Sequence, residues 1–220
     1  MSQSTVTYEL REGVALIQMN RPPVNAMELS LLGDLQLAFR QAHHASAEAI
    51  VLSGTGTIFS GGFDLKELAG YSEEERATLI QNAETMMAEL YLSSIPVVGA
   101  LNGHTVAGGL AFSMACDYRV GPQGSFKFGL PAVKVGFPFP QTALDVFQAE
   151  LAPQTFRVLA LTGRNFSPEE ALTMGLVDEL QPAEYVVERA LEVAKELAAH
   201  PKDSYAKLKQ QLRSPNLSNR

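Results

Sequence analysis

The 220-residue chain carries 24 acidic against 17 basic residues, a net charge of −7, and is 46% hydrophobic. That length and composition suit one sizeable buried core, and the scattered lysines and arginines offer no basic face to nucleic acid. The lone Cys116 excludes an internal disulfide or a Cys/His zinc site, no apolar run nears the roughly 20 residues of a membrane span, and polar residues 1–7 do not resemble a secretory signal, so a cytoplasmic protein without structural metal is expected.

Apolar and polar residues alternate over 5–10 and 14–19 around Glu12-Gly13, which predicts a hairpin. Arg21-Pro22-Pro23 stops the second strand. Residues 29–43 then take helical spacing, with Leu32, Leu35 and Phe39 on one side. A short buried strand over 49–52 runs into a Gly-rich loop, 53–62. A long helix over 72–92 opens with a capping box, Ser72 and Glu75, and should bury Ile80, Ala83, Met87 and Leu90. Residues 97–101 read as a strand covered on both faces. A turn over 102–109 leads into a short helix ending near Ala115, and strands follow over 117–120 and 125–128. From Gln141 the chain is helical with turns. Ser167-Pro168 marks one helix start, and 182–199 and 202–212 form a helical tail. Strands and helices alternate before a helical last third, so the class is α/β.

Two loops carry the chemical interest. In Ile58-Phe59-Ser60-Gly61-Gly62-Phe63-Asp64-Leu65, paired glycines allow a sharp turn and close approach to a ligand. A helix starting near Asp64 leaves its first N–H groups unpaired. Asn102-Gly103-His104-Thr105-Val106-Ala107-Gly108-Gly109-Leu110 likewise follows a strand and opens a helix, whose positive end attracts negative charge. Alone, each reads first as an ordinary turn. Gly54-x-Gly56 lacks the third glycine and the acidic partner of a dinucleotide site.

These motifs, in this order, resemble the crotonase (enoyl-CoA hydratase/isomerase) superfamily. The resemblance rests on Arg21-Pro22-Pro23-Val24-Asn25-Ala26, Phe59-Ser60-Gly61-Gly62-Phe63-Asp64-Leu65, and Val98-Gly99-Ala100-Leu101-Asn102-Gly103 with Ala107-Gly108-Gly109. Cys116-Asp117-Tyr118-Arg119 and Phe166-Ser167-Pro168-Glu169-Glu170-Ala171 with Gly175-Leu176-Val177-Asp178 complete it. It implies a spiral of short ββα/βαβ turns over 1–180 and a helical trimerisation segment over 181–220 in the same structural unit. A coenzyme A thioester would be substrate, with no other cofactor, no metal, and no membrane or nucleic-acid partner. Its carbonyl would lie between the backbone N–H groups of Phe63 and Gly108. Pro23, Val24, Gly61, Gly62, Asp64, Leu65 and Gly109 would border the substrate, and Arg21 and Lys66 are candidates for phosphate contacts. A homotrimer or dimer of trimers would form through apolar tail residues such as Val186, Val187, Leu191 and Leu197. Many relatives continue past the position of Arg220 with helical residues that cover the coenzyme.

One departure matters most. Hydratases of the family place two glutamates where this chain has Ala111 and Ala132, and alanine cannot transfer a proton. Asp64 and Asp117 read as structural, His104 as loop packing, Glu84 and Glu89 as a solvated helix face, and Asp145 as surface. The sequence leaves open a displaced base, a decarboxylase that needs none, and a non-catalytic acyl-CoA binder.

Overall fold

Strands β1 (Val6–Arg11) and β2 (Val14–Met19) form the expected hairpin, pairing Val6 with Met19 and Arg11 with Val14. Glu12 and Gly13 join them with φ of 48° and 83°, the doubly positive backbone that matches a two-residue turn to strand twist. Helix α1 (Leu29–His44) begins where the Glu28 carboxylate accepts the Ser30 and Leu31 N–H groups, and it buries Leu32, Leu35 and Phe39 as spaced. The computed structural model describes residues 4–137 and 139–217; residues 1–3 of the polar start, Pro138 and 218–220 lie outside the described residues.

Beyond α1 come β3 (Ala49–Gly54), β4 (Ile58–Ser60), α2 (Leu65–Gly70) and α3 (Glu73–Tyr91). The capping box of α3 forms as expected, with Ser72 Oγ accepting the Glu75 N–H and the Glu75 carboxylate accepting the Ser72 N–H. Its buried stripe runs through Leu79, Ala83, Met86, Met87 and Leu90. Ile80, assigned to that stripe from spacing, is only half-buried, and Leu79 takes its place. The chain continues through β5 (Val97–Ala100), β6 (His104–Val106), α4 (Gly108–Met114), β7 (Tyr118–Pro122), β8 (Phe128–Gly129) and α5 (Ala132–Val135). Helices α6 (Gln141–Glu150) and α7 (Pro153–Thr162), β9 (Asn165–Phe166), α8 (Pro168–Thr173) and β10 (Glu179–Gln181) precede α9 (Val186–Ala198) and α10 (Lys202–Arg213).

The strands divide between a six-stranded sheet, β1-β2-β3-β5-β7-β10, and a four-stranded sheet, β4-β6-β8-β9. Sequence reading missed this second sheet. Strands β4, β6 and β9 are two or three residues long and read as loop, and of the strand expected over 125–128 only Phe128 is in the sheet, paired together with Gly129. The chain visits the large sheet and then the small one three times: β3 then β4, β5 then β6, β7 then β8. Within each sheet the successive visits pair in parallel. The α/β class and the repeated short turns are as expected.

The tail corrects one expectation. Val186, Ala190, Leu191, Val193 and Ala194 of α9 bury one stripe against Val14, Leu16, Val51, Val98 and Val120 on the large sheet. Val187 and Leu197 pack at the margin of that cluster. The apolar tail residues assigned to a subunit contact are thus used inside the chain, because a sheet face lined by small and branched residues needs a cover. Helix α10 instead turns Lys209 and Arg213 inward, 6% and 9% exposed, and leaves Leu208 and Leu212 outward at 58% and 65%.

Candidate functional site

Strand β4 lies beside β6 in parallel, and β6 beside β8, so the segments leaving the three strands emerge at one edge of the small sheet. After β4 come Gly61, Gly62 and Phe63; after β6, Ala107 and Gly108; after β8, Pro131 and Ala132. These segments meet at a cavity of about 120 Å³, lined by Gly61, Phe63, Leu65, Ala107, Gly108, Pro131, Ala132, Val135, Phe137, Phe139 and Pro140. Among the described residues this wall has no ionisable side chain.

The backbone there is set by a few contacts. Phe63 bridges Met27 in parallel, with the Met27 N–H given to Gly62 O and the Asp64 N–H given to Met27 O. That pattern turns the Phe63 N–H away from Met27, and it meets no acceptor among the described residues. The Gly108 N–H opens α4 and likewise has none, and Ala107 caps the helix without a side-chain hydrogen bond. The two loops touch: a Cβ on Gly62 would fall 2.7 Å from Gly108 N and 2.6 Å from Ala107 Cβ. Gly62 also has φ of 83°, where L side chains are strained. Two N–H groups without partners at an apolar wall can hold an electron-rich oxygen, as two-donor sites do.

The structure gives each of the other assigned residues a definite place. Gly61, Leu65, Phe63 and Gly108 line the cavity. Gly62 and Gly109 do not; they let the loops close, since a Cβ on Gly109 would sit 2.4 Å from Ser60 O. Val24 lies against Gly61, whose N–H it accepts at 2.9 Å, and Pro23 is exposed at the same turn. Asp64 caps α2 and pairs with Arg21 at 2.8 Å; that hydrogen bond holds its carboxyl below the usual aspartate range. Arg21 also faces Glu28 at 3.6 Å and Glu67 at 3.9 Å, so it is already surrounded by carboxylates and is a poor phosphate contact. Lys66 is exposed, with no ion pair among the described residues.

Residues 9–219 match the family model described as enoyl-CoA hydratase/isomerase. The chain belongs to this family. It is 30% identical over 210 residues to mouse enoyl-CoA delta isomerase 1, mitochondrial, covering 94% of this chain and 73% of that one. Among solved structures it resembles a probable enoyl-CoA hydratase of Mycobacterium tuberculosis, with a TM-score of 0.93 at 29% identity over 97% of this chain and 90% of the other. Human mitochondrial delta3-delta2-enoyl-CoA isomerase gives a TM-score of 0.92 at 28% identity, covering 97% of this chain and 85% of that one. The expected crotonase-type fold is therefore the one observed.

In this member of the enoyl-CoA hydratase/isomerase family, the remaining polar candidates do not line the cavity. His104 Nδ1 accepts the Lys127 N–H and its ring leans on Phe126. Glu84, read as a solvated position, instead accepts the Thr142 N–H and hydroxyl and so caps α6. That is a correction: the first turn of α6 has orphan N–H groups, and a carboxylate across the interface satisfies one. Glu89 faces a wider, open groove of about 520 Å³ between α1 and α3, which neither glycine loop serves. Asp145 accepts the Gln141 amide on the surface, and the Asp117 carboxylate is tied to Lys209 and Arg213. Cys116 is fully buried and burial pushes its thiol up to about 12, so it is no nucleophile.

Sequence reading missed Asn25 as the organiser of the first loop. Its amide donates to Thr55, Ile58 and Phe59 carbonyls, and its Oδ1 accepts the Arg21 N–H. It also missed Val135, Phe137 and Phe139 in the wall. The aromatic-proline alternation from Phe137 to Pro140 was the available signal for them.

Proposed function

We propose that this chain binds an acyl-coenzyme A thioester with its carbonyl oxygen between the Phe63 and Gly108 N–H groups, an oxyanion hole for a thioester enolate. The observation that carries the reading is the convergence, at the parallel ends of β4 and β6 beside an apolar cavity, of two N–H groups with no acceptor among the described residues. Fixed donors of this kind favour developing negative charge over a neutral carbonyl, each by about 3 kcal/mol. The names of its relatives point to double-bond migration or hydration of enoyl-CoA, and migration proceeds through the same enolate.

Ala111 and Ala132 stand at the two positions where the family's hydratases carry glutamates. Ala132 lines the cavity, while Ala111 is buried at 3% exposure within α4. The wall therefore supplies enolate stabilisation without a proton carrier, and proton transfer to solvent limits turnover. Hydration of crotonyl-CoA should be slower by ~10²-fold or more than in a two-glutamate hydratase. Ala132→Glu, alone and with Ala111→Glu, should raise hydration by about tenfold or more, with folding followed by circular dichroism because a carboxylate at the buried Ala111 is costly. Fast hydration by the unaltered protein would refute the reading. A folded Ala132→Glu variant that binds acyl-CoA yet turns nothing over would favour the second reading, a non-catalytic acyl-CoA binder, which the uncharged wall also supports.

We read the assembly as a homotrimer or a dimer of trimers, with outward Leu208 and Leu212 of α10 as the apolar surface available to it. Light scattering that shows a monomer at micromolar concentration would contradict this.

A further inference from the structure

The cavity's size and chemistry carry the thioester reading to a substrate class. We propose that the acyl pocket takes a short, uncharged acyl group of about four carbons, and that Phe139 sets this limit; the proposal rests on the acyl-CoA site described above.

Three observations support it. The cavity holds about 120 Å³. A water occupies ~30 Å³ in the liquid and a methylene has similar bulk, so about four carbons fit. The described wall offers no lysine, arginine or histidine, so a carboxylate on the acyl group would be buried without a partner. This counts against malonyl-type thioesters and hence against the base-free decarboxylase. Finally, the aromatic part of the wall is braced from behind. The Phe139 ring meets Phe147 edge-on at 5.9 Å, and Phe147 stacks on Phe156 at 5.5 Å with an interplanar angle of 6°. Phe147 is fully buried, so Phe139 cannot swing inward to admit a longer chain without displacing a packed ring. Phe137, by contrast, leans on Phe63 beside the proposed donor, at 5.4 Å. Leu65 and Val135 stand half-exposed at the rim.

The test is titration of the intact protein with coenzyme A and with acetyl-, butyryl-, octanoyl-, dodecanoyl- and malonyl-CoA by calorimetry. Affinity should rise about fourfold per carbon from acetyl to butyryl and gain nothing further at octanoyl. Malonyl-CoA should bind at least about tenfold more weakly than butyryl-CoA. Phe139→Ala should shift the octanoyl-to-butyryl affinity ratio upward by about tenfold or more, and Phe139→Leu, which keeps an apolar contact to Phe147, should shift it in the same direction by less. A continuous rise through dodecanoyl in the unaltered protein overturns the size limit. Malonyl-CoA bound as tightly as butyryl-CoA overturns the requirement for an uncharged group. An unchanged ratio in folded Phe139→Leu removes Phe139 as the determinant. If no thioester binds better than coenzyme A itself, the acyl-CoA reading of the site fails and the chain-length limit falls with it.

Discussion

Around the cavity the polar groups are backbone N–H groups set in a wall of Phe, Val, Pro and Ala. Under α10, four charged side chains converge instead. Asp117 Oδ2 accepts Lys209 Nζ and the Val97 N–H, both at 2.8 Å, its Oδ1 accepts Arg213 at 2.6 Å, and Glu150 lies 3.5 Å from the same guanidinium. Asp117, Lys209 and Arg213 side chains are each 11% exposed or less. The contrast separates two uses of polarity. Backbone donors do not titrate and can face an apolar ligand space at little cost. Side-chain charges can be buried only when every one is matched, and here they fasten the last helix to the start of β7. Buried charge in the Asp117 cluster therefore serves the fold, whereas the proposed site relies on fixed backbone dipoles.

The largest expected effect breaks the charged end. Asp117→Ala would leave two cations under α10 without their carboxylate and a β5 N–H without its acceptor. Burial already depresses the Lys209 ammonium. Denaturant unfolding should show a loss of about 3–5 kcal/mol, the usual cost of breaking a buried pair by removing one partner. Butyryl-CoA affinity of the protein that remains folded should stay within about twofold, because Asp117 is not part of the cavity wall. A loss under ~1 kcal/mol would mean that the cluster is solvated and contributes as surface pairs do.

The next effect breaks the other end. Gly62→Ala places a methyl 2.6 Å from Ala107 Cβ and 2.7 Å from Gly108 N, on backbone with φ of 83°. The β4 and β6 loops must separate. Any enolate-dependent turnover should fall by ~10²-fold, equivalent to about 2.7 kcal/mol of lost stabilisation, while stability falls by about 2–4 kcal/mol from the strained backbone and the overlap together. Turnover unaffected in a folded variant would detach the two loops from the chemistry.

The two ends also differed in how far the sequence revealed them. The loops were legible because glycines cluster where backbone must approach backbone, and the requirement at Gly62 and Gly109 is local and steric. The helix starts at Ser72 and Ser167 were legible for a similar reason, since a capping box is a contact between near neighbours in the chain. The small sheet was not: strands as short as β4 and β6 have no periodicity of their own and exist only through pairing with distant segments. Nor was the inward turn of α10. Its helical spacing carried no sign that Asp117, far earlier in the chain, draws Lys209 and Arg213 inward. The same long-range pairing made Glu84 a helix cap instead of a solvated residue.

The smallest predicted effect lies at Asp64, between the cavity residues Phe63 and Leu65. Its side chain accepts the Lys66 and Glu67 N–H groups and pairs with Arg21. Asn caps a helix about as well as Asp, so Asp64→Asn removes the charge of the Arg21 pairing while keeping the cap. The partners are 25% and 19% exposed, and a partly solvated pair of this kind is worth about 0.5–1 kcal/mol. The sign of its pH dependence comes from the lowered carboxyl pKa, caused first by the Arg21 hydrogen bond. The folded state holds the proton less tightly than the unfolded chain, so the contribution is complete above the ordinary aspartate value of 3.8 and is lost as pH falls through the folded value. The stability difference between the two proteins should accordingly be constant from neutral pH to about pH 5 and shrink as pH falls on through the folded value, measured by urea unfolding at each pH. A difference that grows on acidification would reverse the sign and show that Asp64 is held protonated. In either case, butyryl-CoA binding between about pH 6 and 8 should not change with pH on the protein side, since the proposed donors are amides and the described wall has no group that titrates.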